Sequence, residues 1–177
     1  MDKNLVTIYL SIFVGLLSFA VVNVFRQIFK TRRRESALAR LRKKLEKEKG
    51  TAQEYYELAS IYSEKKVFSQ AVALFQKAIK AAEEEKEEDE AISAPIYNGL
   101  GYVYFSQEQY DLAIRQYKEA LKLKPDYVTA LNNLGHAYER KKLTSQALQM
   151  YEEALKLAPN NTIAKRRAES LRRLVSA

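Results

Sequence analysis

The chain has 177 residues, no Cys, one His, five Gly and three Pro, with 30 Lys and Arg against 22 Asp and Glu. Without Cys there are no disulfides and no thiolate metal sites, and few Gly and Pro speak against a turn-rich all-β fold. The excess of +8 lies in one place: residues 26–49 hold eleven Lys and Arg and three Glu, while residues 50–177 hold eighteen charges of each sign. A nucleic-acid-binding domain would instead spread basic charge over a folded face, so that class is set aside.

In chain order, the first predicted element is a membrane anchor over residues 1–25. No charged residue occurs from Asn4 to Phe25, and Leu5 to Phe25 is mostly Leu, Val, Ile and Phe. Such a helix would be about 31 Å long, enough to cross a hydrocarbon core of about 30 Å. A cleaved signal peptide has a shorter apolar region and a small-residue cleavage site; here Arg26, Lys30, Arg32, Arg33 and Arg34 follow at once, as in a stop-transfer sequence. Basic flanks resist translocation, so residues after the helix are expected on the cytoplasmic or stromal side.

Residues 26–50 read as a basic juxtamembrane connector. Leu38, Leu41 and Leu45 share one helical face, while Arg40, Arg42, Lys43, Lys44 and Lys47 cover the others. This pattern fits a spacer whose leucines pad the first repeat, or an amphipathic helix resting on anionic lipid. Gly50 is expected to end the helix.

Residues 51–161 then repeat. Tyr97, Leu100, Gly101, Tyr104, Ala113, Tyr117, Ala120 and Pro125 recur 34 positions later as Leu131, Leu134, Gly135, Tyr138, Ala147, Tyr151, Ala154 and Pro159. An earlier set is Tyr55, Leu58, Ala59, Tyr62, Ala71, Phe75 and Ala78. A period of 34 with this pattern is that of the tetratricopeptide (TPR) repeat, a pair of antiparallel helices. Small residues let the helix axes approach, large ones fill the gaps, and Pro stops the second helix. The predicted fold is all-α: one transmembrane helix, then a solenoid of three helix pairs (52–82, 94–127, 128–161), then a capping helix at 162–177. Thr51 with Glu54 reads as a capping box, and Ser69, Asp111 and Ser145 as N-caps of the second helices. In the capping helix, Ile163, Leu171 and Leu174 are expected to face the array.

Two surfaces are candidates for function. Stacked repeats form a groove lined by the first helix of each pair, here with Tyr56, Asn98, Tyr102, Phe105, Asn132, His136 and Arg140 as candidate contacts. Such a surface suits an extended or helical segment of another protein, although Tyr102 and Phe105 could equally pack between repeats. The second surface is an insertion between repeats one and two: Glu83, Glu84, Glu85, Glu87, Glu88, Asp89 and Glu90, with Lys86 among them. It reads as a docking prong for a basic partner or as a solvated helix extension of two turns. Chaperone-binding carboxylate-clamp TPRs place Lys and Asn where this chain has Tyr56 and Ser60, which disfavours that function. No catalytic constellation, phosphate loop, metal-ligand set or cofactor motif emerges, so no enzyme, cofactor or small-molecule substrate is expected.

The whole chain resembles a small TPR family of cyanobacteria and plastids that assists photosystem I assembly. The resemblance is carried by Thr7, Ile8, Tyr9 and Leu10, by Arg26, Gln27, Thr31, Arg32 and Arg33, and by Lys47, Glu48, Lys49, Gly50 and Thr51 leading to Glu54, Tyr55, Tyr56, Glu57 and Leu58. It implies a single-pass thylakoid membrane scaffold, repeats on the cytoplasmic or stromal side, with photosystem I subunits or assembly intermediates as partners. A membrane-anchored TPR adaptor for protein import or envelope assembly is the alternative. The family brings no catalytic residues.

Overall fold

A computed structural model describes residues 3–85 and 90–175. Among them are eight α-helices, which fall into two compact units, residues 1–47 and 48–177.

The first unit is one helix, α1 (Lys3–Leu45). The apolar stretch and the basic connector are therefore a single rod, about 65 Å long at 1.5 Å per residue. No Pro or Gly interrupts the connector, and the side chains of Asn23, Thr31 and Ser36 bond back to the carbonyls of Phe19, Gln27 and Arg33. Their polar groups are thereby satisfied within the helix. The apolar side chains from Tyr9 to Phe29 are exposed. By length and composition the helix could cross a membrane. It ends at Leu45, five residues before Gly50.

The second unit is the array: α2 (Ala52–Glu64), α3 (Phe68–Glu85), α4 (Glu90–Ser106), α5 (Tyr110–Leu123), α6 (Val128–Arg140), α7 (Thr144–Leu157) and α8 (Thr162–Val175). Helices α2 to α7 pack as three consecutive pairs, and α8 packs on α7 after them. The Thr51 hydroxyl accepts from the Glu54 N–H and the Glu54 carboxylate accepts from the Thr51 N–H, closing the capping box that opens the array. The Gly50 N–H donates to the Tyr55 hydroxyl at 3.1 Å.

Each pair is built around one large ring from its second helix, namely Phe75, Tyr117 and Tyr151, all 1% exposed. Gly101 and Gly135 give two of these rings their space: a β-carbon there would lie 2.6 Å from Tyr117 and 2.9 Å from Tyr151. Alanines fill the other close approaches, with Ala71, Ala78, Ala113, Ala120, Ala147 and Ala154 all fully buried. Burial pushes the Tyr117 and Tyr151 hydroxyls well above the usual phenol range.

The turns within pairs do not use the caps expected of Ser69, Asp111 and Ser145. Those residues are the second of their helices, inside the first turn. The chain reverses instead through Lys66, Glu108 and Lys142, whose φ values are 60°, 61° and 59°. Each donates its N–H to the carbonyl three residues back, and the next residue donates to the carbonyl five back (Val67 to Tyr62, Gln109 to Tyr104, Leu143 to Tyr138). This is the Schellman pattern, and the backbone closes it without side-chain help. The connections between pairs follow the prolines: α5 and α7 stop two residues before Pro125 and Pro159.

The insertion is shared between two helices. Helix α3 has 18 residues where α5 and α7 have 14, and α4 has 17 where α2 and α6 have 13. Glu83, Glu84 and Glu85 thus extend α3 and Glu90 opens α4, one extra turn on each side rather than two on one. Glu87, Glu88 and Asp89 lie outside the described residues. Pro95 falls inside α4; its equivalent in the next repeat, Thr129, is the second residue of α6, where the missing N–H would be harmless.

Candidate functional site

The candidate groove is the face of the first helices α2, α4 and α6, which touch in that order. The structure divides its predicted residues into two kinds. Tyr102 is 51% exposed. Phe105 is partly buried and packs on the core, with its ring 4.7 Å from His136 and 5.4 Å, edge-on, from Tyr110. Arg140 lies 4.9 Å over the Tyr110 ring and 3.6 Å from Glu108, so it closes the edge between repeats two and three. Lys141 reinforces that edge with a 2.9 Å bond to Asp111. Tyr56 is half-buried, 6.1 Å from the Phe75 ring.

Amides lie between the second and third pairs on this candidate face. The Asn133 side chain donates to Asn98 Oδ1 at 2.9 Å, linking α6 to α4. Asn133 was not among the predicted contacts; its neighbour Asn132 was. Asn98 and Asn133 stand 35 positions apart, one off the 34-residue register, and their pairing shows only in the geometry of the two helices. Among the described residues, the buried Oδ1 of Asn132 and the buried Tyr110 hydroxyl find no hydrogen-bond partner. A buried polar atom without a partner costs free energy, which an incoming donor would recover.

His136 holds a proton less readily than a free histidine. Burial is the main cause, Arg167 and Arg140 add to it, and Glu139 opposes them. Glu139 itself is clamped: the Tyr151 hydroxyl donates to it at 2.6 Å and Arg167 at 3.2 Å. This cluster fastens α8 to the third pair. The faces of α8 differ from expectation. Ala164, Ala168 and Leu171 are buried against the array, whereas Ile163 and Leu174 are 57% and 67% exposed. Leu171 faces the array as expected; beside it the contact is carried by Ala164 and Ala168, because alanine permits the closest approach of helix axes.

On the acidic side, Glu84 is an ion-pair partner of Lys49 and lies 4.0 Å from Lys80. The hydrogen bond from Lys49 holds its carboxyl below the usual range. Glu83 is exposed and near Tyr97, whose hydroxyl is pushed up by burial and by Glu83 and Glu119. Among the described residues, no three His, Cys, Asp or Glu gather as a metal would require.

Models of the tetratricopeptide repeat match residues 52–85, 96–142 and 128–161. The ycf37 protein of Cyanophora paradoxa is 43% identical over 131 residues, 73% of each chain. The chain belongs to the ycf37 family of TPR proteins. The Guillardia theta ycf37 protein is 32% identical over 70% of this chain and 68% of its own. The chloroplastic TPR protein PYG7 of Arabidopsis thaliana is 35% identical over 93% of this chain but 53% of its own length. Among solved structures, MamA aligns over 70% of this chain and 68% of its own, with a TM-score of 0.62 and 28% identity. The first TPR domain of Spaghetti (RPAP3), bound to an HSP90 peptide, aligns over 73% and 97% with a TM-score of 0.64 and 18% identity, which is a likeness of fold. The family's TPR architecture is the protein-interaction scaffold that the 34-residue register predicted.

Proposed function

We propose that this chain is a membrane-tethered, non-catalytic TPR scaffold that holds a segment of a partner protein and serves the assembly or stability of photosystem I in the thylakoid membrane. The observation that carries the binding role is Tyr102: a large aromatic residue, half exposed on a groove whose neighbouring ring, Phe105, is packed away. Tyr is over-represented among the residues that dominate interfaces, and a half-exposed ring on the face of the first helices is available to a partner. Tethering is supported by the exposed apolar face of α1 between Tyr9 and Phe29, and the basic flank favours an array on the cytoplasmic or stromal side. The photosystem I role rests on the family resemblance and on the chloroplast location in the name of the Arabidopsis relative.

The test is capture from solubilised thylakoids by wild-type chain and by Tyr102→Ala. The scaffold predicts photosystem I subunits with wild type and fewer with the variant, and a cell carrying the variant accumulates less photosystem I. Equal capture, or capture of unrelated complexes only, removes the assembly role. Alkaline washing tests the tether: release of the chain from membranes would exclude an integral anchor.

A further inference from the structure

We infer that α1 binds anionic lipid at the membrane boundary, with Arg26, Lys30 and Arg33 holding phosphate-bearing headgroups of the leaflet from which the helix emerges. The inference rests on the tether proposed above and adds a ligand that the repeats themselves would not take.

Residues 26–34 carry five cations, Arg26, Lys30, Arg32, Arg33 and Arg34, and no acid. Arg26, Lys30 and Arg33 stand at i, i+4 and i+7, one above another on a single face of α1, and all three are exposed. Glu35 is the first acid after them. At about 100° per residue its position in the register falls on the opposite face from that stripe. Phe29, beside Lys30, is also exposed. An apolar ring among cations suits the level where acyl chains give way to headgroups.

Which cations reach the lipid follows from the continuity of α1. The helix runs unbroken from Lys3 to Leu45, so the connector leaves the membrane along the axis of the span and does not lie on the surface. That sets aside the flat amphipathic reading of the connector. Leu41, on the leucine face that such a helix would lay on lipid, is in any case buried. Counted from Phe25 at about 1.5 Å per residue, Arg26 lies about 2 Å, Lys30 about 8 Å and Arg33 about 12 Å beyond the apolar stretch. The headgroup layer is about 5–8 Å deep on each side. Side chains on a helix lean toward its N-terminus, here back toward the lipid. All three cations therefore act within a Debye length, about 8–10 Å, of the headgroups. The later cations begin with Arg40, about 22 Å out, and are screened from them.

The chemistry favours an anionic headgroup over a zwitterionic one. A guanidinium takes a phosphodiester through two parallel hydrogen bonds, and an ammonium adds a point charge. A zwitterionic headgroup brings its own cation to the same place and cancels most of the attraction. Lipid also surrounds a membrane-crossing helix at all times, whereas an acidic protein segment would have to displace it.

The experiment is native mass spectrometry of the full chain, purified in detergent and given phosphatidylglycerol and phosphatidylcholine in equal amounts. Wild type should retain phosphatidylglycerol about tenfold or more over phosphatidylcholine, since each cation near a headgroup contributes about fivefold before screening. Arg26→Gln with Lys30→Gln and Arg33→Gln should abolish that preference. Arg40→Gln with Lys43→Gln and Lys47→Gln removes the same charge beyond reach and should keep it. Circular dichroism checks that both variants retain their helix content. If the stripe variant does not purify, Lys30→Gln alone should weaken the preference about fivefold. No preference in wild type, or equal loss in the two triple variants, overturns the inference. Displacement of the lipid by inorganic phosphate at equal concentration overturns it in favour of a free anion. In membranes, Phe29→benzoylphenylalanine should cross-link to lipid; cross-linking to a protein instead overturns it in favour of an acidic partner segment. Alkaline washing keeps the two readings apart. A chain that resists washing but shows no lipid preference loses the lipid site and keeps the tether, and a chain that washes off loses both.

Discussion

The ring of Phe75 stands where a β-carbon on Gly99 would have to be, 2.6 Å from that atom. Gly99 belongs to α4, in the second pair, and Phe75 to α3, in the first, so this contact joins repeats rather than building one. Gly101 and Gly135, by contrast, admit Tyr117 and Tyr151 of their own pairs. The first two repeats are therefore locked by a glycine that the third lacks, where Asn133 takes the equivalent position.

Gly99→Ala should consequently destabilise the array, although Ala is ordinarily the better helix former. Relief requires the buried Phe75 ring to move, and overpacking of this kind costs about 1–3 kcal/mol, against about 1 kcal/mol gained in propensity. A lower melting temperature is expected by calorimetry, with the first two pairs losing amide-exchange protection first. An unchanged or raised melting temperature would mean the ring has room to give.

Lys142→Gly should do the opposite. Lys142 holds a φ of 59°, a region that costs a side-chain-bearing residue about 1–2 kcal/mol and glycine almost nothing. Part of that gain is offset by the wider freedom of glycine in the unfolded chain, leaving about 0.5–1 kcal/mol. The array should melt a few degrees higher. A fall would show that the Lys142 side chain contributes more than its backbone costs.

The same turns mark where the sequence could be read and where it could not. The 34-residue register, the capping box at Thr51 and the glycines facing Tyr117 and Tyr151 were legible because each depends on residue type at a fixed spacing. The left-handed residues were not: Lys66, Glu108 and Lys142 carry no signal for that conformation, and Ser69, Asp111 and Ser145 beside them offered a false one. Ile163 and Leu174 misled in another way. Hydrophobicity pointed them inward, but the stripe of Ala164, Ala168 and Leu171 makes the closer contact and turns them out. Gly99 could have been found, since a glycine inside a helical pattern calls for a packing reason. The pairing of Asn98 with Asn133 needed the geometry of two helices.

Stability should fall in mildly acidic solution through His136. Its proton affinity is lowered in the folded array by burial beside Phe105, with Arg167 and Arg140 reinforcing and Glu139 opposing. The unfolded chain, with a histidine near about pH 6.5, therefore binds the proton more readily. Stability is then fully present above about pH 6.5 and declines as pH falls below it toward the folded-state value. His136→Gln should flatten the loss between about pH 7 and the onset of carboxylate titration near about pH 4.5. Denaturant melts of both proteins across that range provide the check; parallel curves would assign the loss to other groups.

Tyr102 separates binding from folding, which Phe105 cannot do. Replacing Phe105 removes a ring that packs on the core and touches both Tyr110 and His136, so lost binding there would be confounded by lost stability. Tyr102 is half exposed. Tyr102→Ala should leave the melting temperature within the range of ordinary surface substitutions, about 0.5 kcal/mol either way. If the ring anchors a partner, the same change should weaken capture by about 2 kcal/mol or more, roughly thirtyfold in Kd. The two numbers must be measured on one preparation: melting by circular dichroism, and affinity by titration with a peptide selected by the wild-type chain. Weak binding with an intact melt places the anchor at Tyr102. Lost stability would return the ring to the inter-repeat packing, and unchanged affinity would move the working surface to another face of the array.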